Sequence, residues 1–216
     1  MKKLKAAITQ LKAIQAQTLN LIWTIVAIKL IVGLGNPGKD YQPHRHNVGF
    51  WFCDALAHLY SATFKKETKF FGDVAQINIA GSSLRLLKPG TYMNRSGQSI
   101  QSIAKFYQIN ADEILVAHDE LDLNPGVARI KFSGGHGGHN GLRDTIKALS
   151  SNDFYRLRIG IGHPGDKSQV ADFVLHAPNK SELEPIQTAL VNSLNVIEQV
   201  VQGDIEPAMK ALHTQG

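Results

Sequence analysis

IKLIVGL, at residues 28–34, is an apolar stretch rich in β-branched side chains that leads into a glycine turn. This pattern predicts a strand buried on both faces. EILVA at 113–117 and RLRIGI at 156–161 predict further strands. Apolar residues at helical spacing predict helices at 47–60, 96–107, 142–149, 168–175, 181–201 and 204–213. Because buried strands that alternate with helices form covered sheets, the sequence predicts an α/β fold. We expect a three-layer sandwich with a central mixed, mostly parallel twisted sheet flanked by helices.

Shorter patterns complete the predicted sheet. Polar and apolar residues alternate over 73–79 and 83–88, and Gly81-Ser82 between them predicts a β-hairpin. VARIKF at 127–132 predicts another strand. Ser96 is expected to cap the helix that begins there, because a serine side chain can accept hydrogen bonds from the first backbone N–H groups. The length of 216 residues fits one domain, and we expect it to span 28–216.

The charge of the chain is unevenly distributed. The formal net charge is +5, but residues 1–27 carry four lysines and no acid, so 28–216 carries only +1. Within that body, 129–158 has six basic and two acidic residues, whereas 166–216 has three basic and seven acidic residues. A one-sided basic zone beside a glycine-rich loop is typical of a surface that binds nucleic-acid phosphates. A single cysteine, Cys53, excludes an intrachain disulfide and fits a reducing compartment.

Residues 1–27 are predicted to form an N-terminal extension, either helical or disordered. The lysine-rich start suggests a targeting signal, but Gln10 and Gln15 interrupt the apolar region that such a signal needs. The apolar run 21–34 contains Lys29 and is too short to span a bilayer. An organelle or membrane-surface address is the alternative interpretation. We expect no membrane partner.

GLGNPG at 33–38 matches the G-x-G-x-x-G pattern of dinucleotide-binding turns. Pro37 biases Asn36 away from helical geometry, and the next helix is predicted only near Asn47, so no helix N-terminus would receive a pyrophosphate. The acid about twenty residues further on, Asp54, lies in a predicted helix rather than at a strand end. The pattern therefore predicts a tight turn that presents the Asn36 amide, and no nucleotide cofactor.

HDELD at 118–122 follows the strand ILVA, so Asp119 is expected at the sheet edge where α/β proteins bind ligands, unless it only caps a turn. PHRHN at 43–47 contains His44 and His46, an H-x-H pattern that a metal site can use together with the later His136 and His139. The chain has no C-x-x-C or H-E-x-x-H spacing, which disfavours the metal interpretation. We expect no bound metal.

Two loops carry further candidate ligand groups. GGHGGHNG at 134–141 has five glycines, which let a backbone approach a ligand, and its Asn140 is either a donor or a helix cap. TYMNRSG at 91–97 combines Tyr92 with Asn94, as in loops that stack on bases or clamp substrates. Packing of Tyr92 beneath its own loop is the alternative.

Together these motifs resemble those of bacterial-type peptidyl-tRNA hydrolases. The matching segments, in the family's order, are KLIVGLGNPG (29–38), RHNVGF (45–50), KFFG (69–72), TYMNRSG (91–97), HDELDLNPGVARIK (118–131), GGHGGHNGLRD (134–144) and RLRIGIGHPG (156–165). The resemblance covers about 28–216 and leaves 1–27 outside the family core. The sequence also departs from the family at Gly90, where a polar residue is more usual.

The resemblance implies an enzyme that hydrolyses the ester between a peptide, or an N-blocked aminoacyl group, and the 3′ ribose of tRNA, so that tRNA returns to translation. It implies that His46 is the general base, that Asp119 orients it, and that Asn36 senses the peptide. It further implies substrate or tRNA contacts by Tyr41, Tyr92, Asn94 and Asn140 and, more loosely, phosphate contacts by Arg129, Lys131 and Arg158. It also implies a cytoplasmic monomer that acts in ribosome rescue.

The chemistry of these residue types agrees with that activity. A neutral imidazole can accept a proton from water near neutral pH, and a carboxylate behind it fixes the tautomer and favours the imidazolium. Asparagine NH₂ groups can donate to developing charge. No serine or cysteine occupies an obvious nucleophile elbow, so direct attack by water is expected, without metal or cofactor. The alternative is a non-catalytic RNA-binding protein on the same fold, which would not need to retain a base and its orienting carboxylate.

Overall fold

The computed structural model describes residues 27–213, which are organised around a seven-stranded sheet. The strands, in chain order, are β1 (Leu30–Gly33), β2 (Lys65–Glu67), β3 (Gly72–Ile79), β4 (Ser82–Pro89), β5 (Ile114–Glu120), β6 (Ala128–Phe132) and β7 (Tyr155–Gly160). The helices are α1 (Val48–Leu59), α2 (Ser96–Tyr107), α3 (Asn140–Leu149), α4 (Val170–Val174), α5 (Lys180–Asn195), α6 (Ile197–Gln202) and α7 (Ile205–His213).

The sheet is parallel at its centre and antiparallel at both edges. Its strand order is β2-β3-β4-β1-β5-β7-β6. Neighbours among β4, β1, β5 and β7 pair in parallel, whereas β2 with β3, β3 with β4, and β6 with β7 pair antiparallel. β3 and β6 therefore run opposite to the other five strands, which confirms a mixed sheet of mostly parallel strands. Gly33 pairs with Ala117, so β1 ends beside the middle of β5, which continues for three more residues to Glu120.

Helices cover both faces of the sheet, and alternating strand residues supply two cores. In β1, Ile31 belongs to one core, while Leu30 and Val32 belong to the other. The first core packs α1, α5, α6 and α7 against the sheet, and the second packs α2 and α3. Because both faces are covered, β1 and β5 are nearly continuous apolar runs. The predicted three-layer sandwich is confirmed.

Two glycines let α1 begin directly against the strand ends. A Cβ atom on Gly49 would lie 2.4 Å from the carbonyl oxygen of Ala117 and 2.5 Å from the nitrogen of Leu34. A Cβ atom on Gly33 would lie 2.2 Å from the carbonyl oxygen of Gly49. Since no side chain fits at such distances, backbone meets backbone here. This contact brings the 3₁₀ turn Arg45–Asn47, which precedes α1, to the carboxyl ends of β1 and β5.

The helix predicted over 181–201 is wrong as a single element. It divides at Val196, which ends α5 and precedes α6. The apolar periodicity continues across the break because both helices bury residues in the same core, Ile186 from α5 and Val200 from α6. The three residues of β2 (Lys65–Glu67) carry no apolar pattern, so the sequence does not predict this edge strand.

Two turn details also differ from the prediction. The hairpin turn consists of Ala80 and Gly81, both with positive φ, so Ser82 already belongs to β4. Ser96 does not cap α2, because it is the first helical residue and its hydroxyl donates to the carbonyl of Met93.

The prediction for 1–27 falls almost wholly on residues 1–26, which lie outside the described residues, so the extension stays a prediction. Residues 28–213 share the one sheet and its two cores. Across the described part of the chain, no helix combines the length and the apolar composition needed to cross a membrane.

Candidate active site

His46 lies on the turn before α1 and faces the carboxyl end of β5. It is the middle residue of the turn Arg45–Asn47, and only 8% of its surface is exposed. Its Nδ1 atom lies 2.9 Å from Oδ1 of Asp119, which is close to the end of β5. The two residues predicted to act together therefore form a direct hydrogen bond. Because Nδ1 is committed to the carboxylate, Nε2 is the ring nitrogen available to accept a proton.

His139 is a second histidine bonded to the same carboxylate, since its Nε2 atom lies 3.0 Å from Oδ1 of Asp119. Its Nδ1 atom accepts hydrogen bonds from the backbone N–H groups of Gly141 and Leu142 in the first turn of α3. A ring nitrogen that accepts carries no proton, so the proton of His139 is on Nε2, which donates to Asp119. One side chain thus caps α3 and holds Asp119.

The contacts with Asp119 determine the charge state of the pair. Burial lowers the pKa of His46, but the charge of Asp119 and its hydrogen bond outweigh burial, so the pKa of His46 lies above the ordinary histidine value. Burial raises the pKa of Asp119, but the two histidines outweigh it, so this pKa lies well below the usual carboxyl range. Asp119 is therefore an anion at neutral pH, and it favours a proton on His46.

Asn36 lies in the glycine turn after β1, and hydrogen bonds fix both its backbone and its side chain. Oδ1 of Asn47 accepts from the Asn36 backbone N–H, and Nδ2 of Asn47 donates to the Asn36 carbonyl, both at 2.9 Å. Oδ1 of Asn36 accepts from the backbone N–H of Met93 at 2.8 Å. Nδ2 of Asn36 has no hydrogen-bond partner among residues 27–213. The amide orientation is therefore set, and its N–H groups are left for a ligand.

Four cationic side chains lie together at the β6–β7 edge of the sheet. In the antiparallel register Arg129 is opposite Arg158, and Lys131 is opposite Arg156. Because residues two apart on a strand share a face, the four form one block. Arg156 also donates to two glycine carbonyls at the start of the loop 134–141, and so orders that loop.

A cavity of about 760 Å³, which we call the His46 cavity, joins the histidine–aspartate group to the cationic block. Its lining includes His46, Asp119, His139, Lys131, Arg156 and Arg158, but not Arg129. Its volume is in the usual range for ligand sites, roughly 300–1,000 Å³. An imidazole oriented by a carboxylate, next to a wall that attracts anions, is suited to proton transfer on a polyanionic substrate.

A family model described as Peptidyl-tRNA hydrolase matches residues 30–216, which contain the whole sheet and the His46 cavity. The chain belongs to the peptidyl-tRNA hydrolase family. A peptidyl-tRNA hydrolase of Ruthia magnifica subsp. Calyptogena magnifica is 70% identical over 190 residues, which are 88% of this chain and 100% of that protein. The protein of the same name from Pectobacterium atrosepticum is 54% identical and covers 87% of this chain and 96% of its own length. The crystal structure of peptidyl-tRNA hydrolase from Acinetobacter baumannii matches with a TM-score of 0.85 at 50% identity, over 87% of this chain and 95% of that one.

In this member of the peptidyl-tRNA hydrolase family, the predicted contact residues Tyr41 and Tyr92 touch each other, whereas the side chain of Asn94 points to solvent. The rings of Tyr41 and Tyr92 meet edge to face with their centroids 6.1 Å apart, and Tyr92 is 58% exposed. Asn94 is exposed, and its side chain forms no hydrogen bond with another described residue. Tyr92 and Asn94 flank Met93, whose N–H group holds Asn36. They are therefore connected to Asn36 rather than to His46.

Asn140 is the first residue of α3 and lines the His46 cavity. The suggestion that it caps the helix is wrong, because the capping side chain is that of His139. Oδ1 of Asn140 accepts from Arg143 at 2.8 Å, which leaves the Nδ2 hydrogens of Asn140 to donate.

Arg45 is a positioning residue that the sequence does not reveal. It is only 6% exposed, and its guanidinium donates to the carbonyls of Phe173 and His176 at 3.1 and 3.0 Å. It also pairs with Glu182 at 2.7 Å. This group of contacts, which we call the Arg45 clip, ties the turn that carries His46 to α4, to the loop after it and to the first turn of α5. Arg45 and His46 are neighbours in the motif RHNVGF. Only His46 has a side chain typical of acid–base catalysis, so the motif predicts a role for His46 and not for Arg45.

His46, Asp119 and His139 are also the described residues that come closest to a metal-binding set. Their potential ligand atoms lie within 4.8 Å of one another. A histidine ligates a metal through an unprotonated nitrogen, but Nε2 of His139 holds the proton while Nδ1 caps α3. The residues therefore fit a hydrogen-bonded group better than a metal centre, and the expected absence of metal stays a prediction.

Proposed function

We propose that this chain hydrolyses the ester that joins a peptide to the 3′ ribose of tRNA, with His46 as the general base. The observation that carries the proposal is the hydrogen bond between Nδ1 of His46 and Asp119 at 2.9 Å, on the wall of a cavity with cationic residues. This bond leaves Nε2 of His46 as the proton acceptor. Membership of the peptidyl-tRNA hydrolase family supports the choice of substrate.

In the first step, a water molecule attacks the ester carbonyl carbon and gives its proton to Nε2 of His46. The imidazolium that forms is stabilised by the carboxylate of Asp119, which His139 holds in position. The N–H groups of Asn36 are free to donate to the peptide carbonyl or to the oxyanion. In the second step, the tetrahedral intermediate collapses, the bond to the ribose oxygen breaks, and this oxygen takes the proton from His46. The products are a free peptide acid and a tRNA with a free 3′ hydroxyl.

The RNA part of the substrate belongs with the cationic residues. Lys131 and Arg158 line the same cavity as His46, so they are suited to phosphates near the 3′ end of the tRNA. Arg129 lies beside Arg158 in the sheet but outside the cavity lining, and would meet phosphates further from the ester. Tyr92, Asn94 and Asn140 have exposed side chains that could contact the terminal nucleotides or the peptide, and half-buried Tyr41 supports Tyr92. We further propose that the protein acts as a cytoplasmic monomer and needs no metal or cofactor.

The test is turnover of an N-acetyl-aminoacyl-tRNA by the unchanged chain and by the variant His46→Ala. The variant should lose at least about a hundredfold in kcat, as expected when a general base is removed, while tRNA binding stays near normal. His58→Ala is a matched control, because His58 is an exposed histidine near the end of α1. Full turnover by His46→Ala would overturn the assignment. Binding without turnover by the unchanged chain would instead indicate a non-catalytic RNA-binding protein.

A further inference from the structure

A second cavity, of about 420 Å³, adjoins the turn Arg45–Asn47. His46 lines the first cavity, whereas the next residue, Asn47, lines the second together with Asn36. We call the second cavity the Asn47 cavity. Consecutive Cα atoms are about 3.8 Å apart, so the two cavities lie close together on either side of this turn.

The lining of the Asn47 cavity is partly aromatic and partly charged. Phe50 and Trp51 supply aromatic surface. The ring of Phe50 packs so closely on Gly35 that a Cβ atom there would lie 2.7 Å from it. Lys88 is the cation of the cavity, and its Nζ atom already lies 2.5 Å from Asp54. Apolar walls with a few fixed polar groups are typical of ligand sites.

Among the described residues, Asp73 is the charged side chain of this cavity that has no ion-pair partner. It lies opposite Lys88 in the β3–β4 register, but Lys88 pairs with Asp54 instead. Asp73 has no ion pair with any residue between 27 and 213. Two acids and one base give the Asn47 cavity a net negative charge, which would repel RNA phosphates. The His46 cavity, with its cationic wall, has the opposite preference.

We propose that the Asn47 cavity binds the peptide part of the substrate, in particular the side chain of the residue before the esterified aminoacyl residue. The inference rests on the proposed function. With the ester carbonyl at His46 and the ribose oxygen toward Lys131 and Arg158, the peptide leaves the carbonyl carbon in the other direction, past Asn36. One residue further on it reaches the Asn47 cavity. Asp73 then selects a cationic side chain over an anionic one at this position.

The experiment compares tRNAs that carry acetylated dipeptides differing only in the first residue: acetyl-Lys-Ala, acetyl-Gln-Ala and acetyl-Glu-Ala. An acetyl-Ala-tRNA, which has no residue to place in the Asn47 cavity, tests the proposed function separately. For the unchanged chain, kcat/KM for the lysine substrate should exceed that for the glutamate substrate by about three- to tenfold, with glutamine between them, as expected for one partly exposed charge.

Three variants assign this preference to Asp73. Asp73→Asn should reduce the lysine-to-glutamate ratio to less than about twofold, because the unpaired charge is gone. Asp73→Lys should invert the ratio. Asp153→Asn, the same acid-to-amide change at an exposed residue in the loop before β7, should leave the ratio as in the unchanged chain. Using ratios within one variant removes any general effect of the substitution on folding or turnover.

The outcomes separate the two proposals. If acetyl-Ala-tRNA is not hydrolysed, the proposed function fails. If acetyl-Ala-tRNA is hydrolysed but the dipeptide substrates react equally, or if the preference persists in Asp73→Asn, the peptide-site inference fails. A preference that disappears in Asp122→Asn instead would also overturn it, since Asp122 lines the His46 cavity.

Discussion

Replacing Asp119 by asparagine tests the core of the proposed mechanism with a minimal change in shape. The amide oxygen of asparagine can still accept from His46 and His139, so the fold should be retained and chiefly the charge is lost. Removing one partner of a buried charged pair costs about 3–5 kcal/mol. In this variant the cost raises the free energy of the state in which His46 has taken the proton from water. Each 1.36 kcal/mol changes a rate tenfold, so kcat should fall by about 10²- to 10⁴-fold.

The pH profile of the same variant supplies an independent readout. His46 must be neutral to accept a proton, so activity falls as the pH drops through its pKa. In the unchanged chain Asp119 raises that pKa, which puts the acid limb of kcat/KM above the ordinary histidine value. Without the carboxylate, burial is the remaining influence and lowers the pKa, so the acid limb of Asp119→Asn should move to lower pH.

The assay is hydrolysis of N-acetyl-aminoacyl-tRNA between pH 4.5 and 9, with thermal unfolding measured alongside. Asp153→Asn is the matched control and should retain the rate and the pH profile. A variant Asp119→Asn within about fivefold of the unchanged rate, or with an acid limb that stays in place or moves upward, would refute the role given to this carboxylate.

Three further predictions concern RNA binding, packing and metal. Arg158→Ala should raise KM and lower the slope of log KM against log salt by about one, as expected for the loss of one phosphate contact, whereas Lys105→Ala, at an exposed site on α2, should change neither. Gly97→Ala should destabilise the fold by about 1–3 kcal/mol in denaturant titration, because the new Cβ would lie 2.3 Å from a backbone oxygen of α3, whereas Gly135→Ala meets nothing within 4 Å and should be nearly neutral. Prolonged dialysis against a chelator should leave turnover unchanged, and a loss restored by one divalent metal would contradict the hydrogen-bonded interpretation of the site.

The parts of the fold that depend on burial could be predicted from the sequence. β1 and β5 are covered on both faces, so their residues have to be apolar throughout, and the glycine turn after β1 marks the strand end. The position of Asp119 near the carboxyl end of β5 follows from the same pattern. Elements with weak burial requirements could not be predicted: β2 is a short exposed edge strand, and the break at Val196 lies within one continuous apolar face.

Site residues whose own side-chain chemistry suggests a role could be predicted from the sequence. Residues that act by positioning other site residues could not. His46 and Asp119 are 73 positions apart, and the resemblance to a known family suggested the pair before the geometry did. The reciprocal bonds of Asn47 with the Asn36 backbone depend on the packing of α1 against β1, which no local pattern encodes. The histidine cap of α3 is equally hidden, because a histidine is not among the usual N-cap residues.

The Arg45 clip bears on how this protein is made. Its partners Phe173, His176 and Glu182 lie 128 to 137 positions after Arg45, so they leave the ribosome long after it. Every growing chain is itself a peptide esterified to tRNA, the very bond that the site is proposed to cleave. The turn that carries His46 can receive its full clip only after Glu182 has been synthesised. The order of synthesis therefore leaves the turn that carries His46 without its clip while the whole sheet, from β1 to β7, is made.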